Sequence, residues 1–177
     1  MEPSLLVVTG PPGGGKSTVA RLVSERLETS VLVEGDAFFA FLDQGAIAPW
    51  LTEADEQNEV VVRAAAAASG RFAASYATVY EGIIGPWFLP VFAQATGLDA
   101  LHYAVLLPDE DVCVERVATR SGHGFSDEEA TRHMHAEFAR GCASLDGRHL
   151  VEATGGPDAL ATEILDRWAA GDLRYAP

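Results

Sequence analysis

Hydrophobic and polar positions follow one another along the chain in blocks that predict strands separated by helices. Short apolar runs of strand length occupy residues 5–9, 31–34, 78–81, 103–107 and, more weakly, 149–151. Helix-spaced apolar positions or helix-favouring residues occupy residues 17–26, 53–76, 109–120, 127–142 and 157–168. Because strands that alternate with helices form parallel sheets with right-handed crossovers, we predict an α/β fold with helices on both faces of the sheet.

The length of the chain and the order of these blocks predict a single domain over residues 1–177. The chain is long enough to bury a substantial core, and it contains no internal repeat and no linker that divides it. In sheets of this kind, ligands bind beyond the carboxyl ends of the strands. We therefore expect the functional residues where the strands end.

A glycine-rich segment joins the first strand to the first helix and matches the phosphate-binding pattern G-x-x-x-x-G-K-[ST]. Residues 10–18 read Gly-Pro-Pro-Gly-Gly-Gly-Lys-Ser-Thr. The glycines let backbone N–H groups surround phosphate oxygens, and the N-terminus of the helix adds positive charge. In this pattern Lys16 reaches the β- and γ-phosphates and the Ser17 hydroxyl binds Mg²⁺. The predicted site for ATP and Mg²⁺ comprises Gly10, Gly13, Gly14, Gly15, Lys16, Ser17 and Thr18.

Lysine is absent from the rest of the chain, which narrows the class of nucleotide-binding protein. Lys16 is the only lysine, beside eleven arginines. GTPases recognise their base with an Asn-Lys-x-Asp element, which this composition excludes. The Leu-Ser-Gly-Gly-Gln signature of transporter ATPases is absent. A remodelling ATPase of the AAA type normally needs a second helical domain, for which we expect no room in this length.

Two carboxylates follow predicted strands and are candidates for the chemistry. Asp36 lies just past the second strand, where a carboxylate can accept the proton of a substrate hydroxyl or hold water on Mg²⁺. The alternative for Asp36 is a helix N-cap, and both roles are compatible. Glu81 ends the third strand and is a candidate acidic partner of the metal or part of the substrate site, with a structural role as the equal alternative.

Two arginines precede a glycine- and histidine-containing segment that we predict to be a small lid over residues 120–127. Arg116 and Arg120 are four residues apart and share a helix face. Such a lid would exclude water, and its arginines would neutralise charge on the transferred phosphoryl group. The alternative is a pair of surface arginines balanced by neighbouring acidic residues. Arg132 is a weaker candidate, and we interpret His133 and His135 as ordinary residues because they lie on different helix faces.

Aromatic side chains cluster at residues 38–42, 50–51 and 85–89, segments that the family resemblance described below implies as the binding site of a phosphate acceptor. Aromatic side chains with few basic neighbours favour a partly apolar or sugar-like hydroxyl compound over a strongly anionic one. Many of these aromatic residues are also compatible with simple core packing. The candidate substrate residues are Asp36, Phe39, Trp50, Arg63, Glu81 and Trp87, with Gln57 and Asn58 as further polar anchors.

The charge and the cysteines bear on partners and location. A net charge of −14 disfavours a nucleic-acid partner, which normally requires clustered Lys and Arg. No signal peptide is visible, and the longest apolar stretch, residues 83–95, is interrupted by glycine and proline and is too short to span a bilayer. Cys113 and Cys142 are isolated, which is typical of reduced cysteines in a cytoplasmic protein. The oligomeric state is not predicted.

These residues together resemble a family. Residues 10–18, Gly35-Asp36 and Arg116-x-x-x-Arg120 are similar to those of small P-loop kinases, the group containing chloramphenicol phosphotransferase, gluconate kinase, shikimate kinase and the nucleoside monophosphate kinases. The resemblance implies a five-stranded parallel sheet in the order 2-3-1-4-5 and transfer of the γ-phosphate of ATP to a hydroxyl of a small molecule. It implies Asp36 as the base, Arg116 beside adenine and Arg120 near the γ-phosphate.

The segment after the third strand departs from the family pattern. It reads Tyr80-Glu81-Gly82, with neither an Asp-rich nor a triple-glycine element. The acceptor therefore stays open among antibiotics, sugar acids, nucleosides and related metabolites. A regulatory ATP-binding protein without catalysis and a polynucleotide end kinase are the alternative functions.

Overall fold

Six strands and seven α-helices follow one another along the part of the chain that the computed structural model describes, residues 2–119, 126–152 and 155–177. The strands are β1 (Ser4–Thr9), β2 (Ser30–Glu34), β3 (Ala77–Glu81), β4 (Leu101–Leu106), β5 (Leu150–Val151) and β6 (Arg174–Tyr175). The helices are α1 (Lys16–Glu25), α2 (Asp36–Phe39), α3 (Asp55–Ala73), α4 (Leu89–Thr96), α5 (Glu110–Thr119), α6 (Glu128–Cys142) and α7 (Pro157–Ala170).

The sheet has the strand order that the family resemblance implies. Strands β2-β3-β1-β4-β5 are neighbours in that order and all pair in parallel, which confirms the order 2-3-1-4-5. The structure adds a sixth strand, because β6 pairs antiparallel with the first residues of β4. A two-residue strand carries no readable hydrophobic period, so the sequence did not predict it.

Strand β1 lies at the centre of the sheet and separates two hydrophobic cores. Leu5, Leu6, Val7 and Val8 are fully buried, as expected for a parallel strand covered on both faces. Successive side chains of a strand point to opposite faces. Leu5 and Val7 therefore pack in the core that α3, α4 and α6 cover, and Leu6 and Val8 pack in the core that α1 and α7 cover.

Helix α4 was not predicted, because its segment contains prolines. Pro90 lies in the first turn of the helix, where the missing N–H removes no intrahelical bond. Gly97 ends the helix in the left-handed conformation at φ 69°. Buried Leu89 and Phe92 then pack into the core on the side of α3. None of the helices in the described ranges is both long enough and apolar enough to cross a membrane.

Candidate active site

The glycine-rich loop lies between β1 and α1 and is held against α5. Helix α1 begins at Lys16, and Gly15 precedes it with φ 92°. Gly13 has φ 76°, and a Cβ atom at this position would lie 2.3 Å from the carbonyl oxygen of Cys113 on α5. A side chain at position 13 would thus meet both backbone strain and a steric clash. The local sequence therefore allows α5 to approach the loop closely.

This loop and the start of α1 line a pocket of about 230 Å³. The backbone N–H groups at the start of α1 belong to the helix N-terminus, where anions bind favourably. The residues that line the pocket are those expected around nucleotide phosphates: Gly13, Gly15, Lys16, Ser17, Thr18 and Arg116. The donor set fits a triphosphate, because it combines backbone amides with an ammonium and a guanidinium group.

Arg116 reaches this loop directly. Its Nη1 donates a hydrogen bond to the carbonyl oxygen of Gly13 at 3.2 Å. Arg132, the weaker candidate, is instead paired with Glu110 at 2.6 Å and with Asp111 at 3.4 Å, so the structure places it in an ion-pair cluster between α5 and α6. Arg120 and residues 121–125 of the predicted lid lie outside the described residues. Asp127, the last residue of that segment, caps α6 by accepting a hydrogen bond from the Ala130 N–H at 2.9 Å.

Glu81 lies beside Ser17 at the phosphate side of the site. The Ser17 hydroxyl donates a hydrogen bond to Glu81 Oε2 at 3.0 Å, and the Glu81 side chain is buried. Burial raises the pKa of Glu81, while Lys16 and the Ser17 hydrogen bond oppose that rise. A hydroxyl and a carboxylate next to a phosphate pocket are the ligand types that Mg²⁺ uses. The structure thus places Glu81 beside Ser17, and its predicted part in a substrate site stays a prediction.

Asp36 is held one strand further out, at the start of α2. Gly35 occupies the N-cap position, and no side chain caps the helix, so Asp36 is not the N-cap. The Gly35 N–H donates to the carbonyl oxygen of Glu81 at 2.7 Å, and a Cβ atom at Gly35 would lie 2.4 Å from Tyr80 Oη. The absence of a side chain at position 35 therefore lets β2 end against β3. The Asp36 carboxylate is exposed and faces the neighbouring cavity.

A second cavity of about 590 Å³ adjoins the phosphate pocket, and Lys16 lines both. Three of the predicted substrate aromatics, Phe39, Trp50 and Trp87, line this cavity together with Asp36. Arg63 does not: it is exposed and pairs with Glu59 at 2.8 Å on the same helix. Arg63 therefore lies on the outer face of α3, apart from the other predicted substrate residues, and its role in substrate binding stays a prediction.

One wall of this cavity was missed by the sequence analysis. Helix α6 contributes Ala130, His133, Met134 and Glu137, which follow the spacing i, i+3, i+4 and i+7 of one helix face. His133 therefore lies at the cavity, although its sequence neighbourhood indicated an ordinary residue. His135 does lie elsewhere, since its Nε2–H donates to the carbonyl oxygen of Pro108 at 2.8 Å. The helical spacing of these four residues could be seen in the sequence, but it does not show which face of α6 lines the cavity.

The two cysteines are free and buried. Burial raises the pKa of Cys113 to about 11 and the pKa of Cys142 to about 11. Both are therefore neutral thiols at physiological pH, and neither lines either of the two cavities.

Solved structures of small-molecule kinases share this fold. An unliganded sugar kinase from a Janibacter species has a TM-score of 0.69 and 21% identity, over 94% of this chain and 94% of that chain. A shikimate kinase from Acinetobacter baumannii, in complex with shikimate, has a TM-score of 0.68 and 17% identity, over 98% of this chain and 96% of that chain. A gluconokinase from Sinorhizobium meliloti has a TM-score of 0.67 and 22% identity, over 96% of this chain and 95% of that chain.

A family model described as an AAA domain matches residues 5–145. The match runs from β1 past the end of α6 and includes the glycine-rich loop, Asp36, Glu81 and Arg116. This match identifies the family and says nothing about a remodelling activity. Since it covers most of the chain, and since the fold is that of P-loop kinases, the protein belongs to the AAA domain family of P-loop proteins.

Proposed function

We propose that this protein transfers the γ-phosphate of ATP to a hydroxyl group of a small molecule that binds in the 590 Å³ cavity. One observation carries the proposal: Lys16 lines both the phosphate pocket and this cavity, and Asp36, which follows β2 at the same edge of the sheet, lines the cavity as well. A γ-phosphate held by Lys16 would therefore lie at the boundary between the two. The likeness of the fold to small-molecule kinases supports the same reaction class.

The residues have separate roles in this proposal. Asp36 accepts the proton of the acceptor hydroxyl while the new oxygen–phosphorus bond forms and the bond to the β-phosphate oxygen breaks, which releases ADP. Lys16 stabilises the charge on the transferred group. Gly10, Gly13, Gly14 and Gly15 in the loop and Thr18 in the first turn of α1 would hold the phosphates.

Ser17 and Glu81 would hold Mg²⁺, which neutralises phosphate charge when bound. The 3.0 Å contact between them supports Glu81, more than Asp36, as the acidic partner. Arg116 binds the nucleotide side of the pocket in this proposal, and its hydrogen bond to Gly13 supports that placement. Arg120 remains a proposed second cation near the γ-phosphate. We further propose that the protein acts in the cytoplasm on a small molecule and not on nucleic acid, on the basis of its composition.

The test is a screen of hydroxylated metabolites and antibiotics by coupled ADP release. With the acceptor that it finds, Asp36→Asn should lower kcat by roughly 100- to 10,000-fold, the range for a general base. Lys16→Ala should lower it at least about 100-fold. Asp43→Asn is the matched control, because Asp43 is an exposed carboxylate on the following loop that lines neither cavity.

Either of two results would contradict these assignments. Near-normal turnover of Asp36→Asn would remove Asp36 as the base. Tight ATP binding without ADP release for any hydroxyl compound would favour a regulatory nucleotide-binding protein instead.

A further inference from the structure

We infer that the acceptor is an uncharged or cationic alcohol with an apolar body, and that Asn58 Oδ1 accepts a hydrogen bond from one of its N–H or O–H groups. This inference rests on the proposed function in treating the 590 Å³ cavity as the acceptor site. Three observations lead to it: the state of the Asn58 amide, the balance of charge on the cavity wall and the apolar character of the remaining wall.

Asn58 lines the cavity and has a buried acceptor atom for which the described part of the chain provides no hydrogen-bond partner. Its side chain is on α3 and only 8% exposed. The Nδ2 atom donates a hydrogen bond to the carbonyl oxygen of Pro49 at 2.7 Å, which fixes the orientation of the amide. The Oδ1 atom is then buried without a hydrogen-bond partner among the described residues. Because a buried acceptor without a donor is unfavourable, a ligand N–H or O–H would bind here with a gain in affinity.

The charged groups on the wall disfavour an anionic acceptor. The carboxylates of Asp36, Asp55 and Glu137 line the cavity, and in the described ranges the only lysine or arginine on this wall is Lys16. Glu137 is paired with Arg140 and lies 3.8 Å from His133, so its charge is partly balanced. Asp36 and Asp55 occur in none of the ion pairs found in the described part of the chain. Lys16 also faces the phosphates, which would take up its charge when ATP is bound.

Most of the remaining wall is apolar, with Thr52, Tyr80 and His133 as its further polar members. Trp87 lies 5.1 Å from Phe138 in an edge-to-face contact and 6.5 Å from Phe88, measured between ring centroids. Ile83, Phe39 and Met134 complete this surface. An acceptor with a ring or a branched hydrocarbon body would bury apolar area here, whereas a small and fully polar one would not.

The experiment uses four cyclohexylmethanols that differ only at ring position four, where they carry an ammonium, a hydroxyl, a carboxylate or hydrogen. Binding is measured by titration calorimetry in the presence of Mg²⁺ and a non-hydrolysable ATP analogue. The ammonium and hydroxyl probes should bind at least about fivefold more tightly than unsubstituted cyclohexylmethanol, as for one additional hydrogen bond. The carboxylate probe should bind at least about tenfold more weakly than the hydroxyl probe.

Two variants distinguish a hydrogen bond from the ligand to Asn58 Oδ1 from the role of Asn58 in holding the loop that contains Pro49. Asn58→Ala should abolish the preference for the hydroxyl probe over cyclohexylmethanol. Gln57→Ala is the matched control: Gln57 binds the backbone of Ile47 through two hydrogen bonds of 2.8 and 2.7 Å, but it does not line the cavity. Gln57→Ala should therefore retain that preference even if it loosens the loop that both residues hold.

The outcomes distinguish this inference from the proposed function. Binding in the expected order without phosphoryl transfer to any alcohol would support the inference and refute the proposed function. Tightest binding of the carboxylate probe would overturn the inference, and transfer to that probe would still support the proposed function. Absence of binding by all four probes at millimolar concentration, or an unchanged preference in Asn58→Ala, would also overturn the inference.

Discussion

The contact between the glycine-rich loop and α5 predicts that Gly13→Ala is much more harmful than Gly15→Ala. Both glycines have left-handed backbone conformations, with φ 76° and φ 92°. At position 13 a new Cβ atom would lie 2.3 Å from the Cys113 carbonyl oxygen and 2.9 Å from the Cys113 Cα atom. At position 15 the nearest atom would be Arg116 Nη1, at 3.7 Å, which is an ordinary contact. The pair therefore separates backbone strain from steric clash.

The expected magnitudes follow from that geometry. A non-glycine residue in the left-handed region costs roughly 1–2 kcal/mol, and this cost applies to both variants. Gly13→Ala adds an overpacking cost of roughly 1–3 kcal/mol, because the contacted atoms are backbone and cannot move without α5. For a domain of this length, 1 kcal/mol lowers the melting temperature by about 2–4 °C. Gly15→Ala should thus melt about 2–8 °C below the wild type, and Gly13→Ala about 4–20 °C below it.

The assay is a thermal melt by circular dichroism, followed by ATP titration at a temperature where both variants are folded. Gly13→Ala should also weaken ATP binding more, because a displaced α5 carries Arg116 away from the carbonyl of Gly13. Equal melting temperatures for the two variants would refute the close approach of α5 to the loop. A more stable Gly13→Ala variant would refute it more strongly.

Two further predictions concern buried ionisable groups. Because the pKa of Glu81 is raised in the folded state, its protonation stabilises the fold below pH 4.5, and this stabilisation is lost as the pH rises. Glu81→Gln should therefore melt at a higher temperature than the wild type at pH 7, and the two melting temperatures should converge towards pH 4.5. The same variant should bind Mg²⁺·ATP about 10- to 100-fold more weakly, and an unchanged Mg²⁺ dependence would contradict the Ser17–Glu81 site. Burial lowers the pKa of His149, whose Nδ1–H donates to the Tyr103 carbonyl oxygen at 3.0 Å, so wild-type stability should fall as pH drops below 6.5. His149→Gln should reduce that fall, and equal pH profiles for the wild type and this variant would contradict the reasoning.

The parts of the fold that the sequence predicted are those in which local pattern and tertiary environment agree. The sequence alone predicts strand β1 and the glycine-rich loop after it. Burial on both faces requires the apolar run of β1, and the close approach of a phosphate requires the glycines of the loop. Strand β6 and helix α4 escaped for physical reasons. The two residues of β6 are too few to show a hydrophobic period. A proline disrupts only the interior of a helix, and Pro90 lies in the first turn of α4.

The division of the site between two carboxylates required the sheet register. Both Asp36 and Glu81 follow strands, so the sequence placed them at the same edge. Pairing of Val8 with Glu81 puts β3 directly beside β1, which brings Glu81 to Ser17. Strand β2 lies beyond β3, so Asp36 lines the 590 Å³ cavity instead. In the same way, only the packing of α3 and α6 decides that Asn58 and His133 face the cavity while Arg63 faces solvent.

The most direct test of the central claim is a ³¹P NMR time course with ATP, Mg²⁺ and the acceptor found by the screen. The proposed transfer predicts that the resonances of ATP are replaced by those of ADP and by one phosphomonoester resonance. ADP and the ester should form in equal amounts and only when the acceptor is present. Asp36→Asn should slow the appearance of that ester without changing its identity. Formation of ADP with inorganic phosphate alone, at a rate that the acceptor does not change, would contradict the claim that this protein is a small-molecule phosphotransferase.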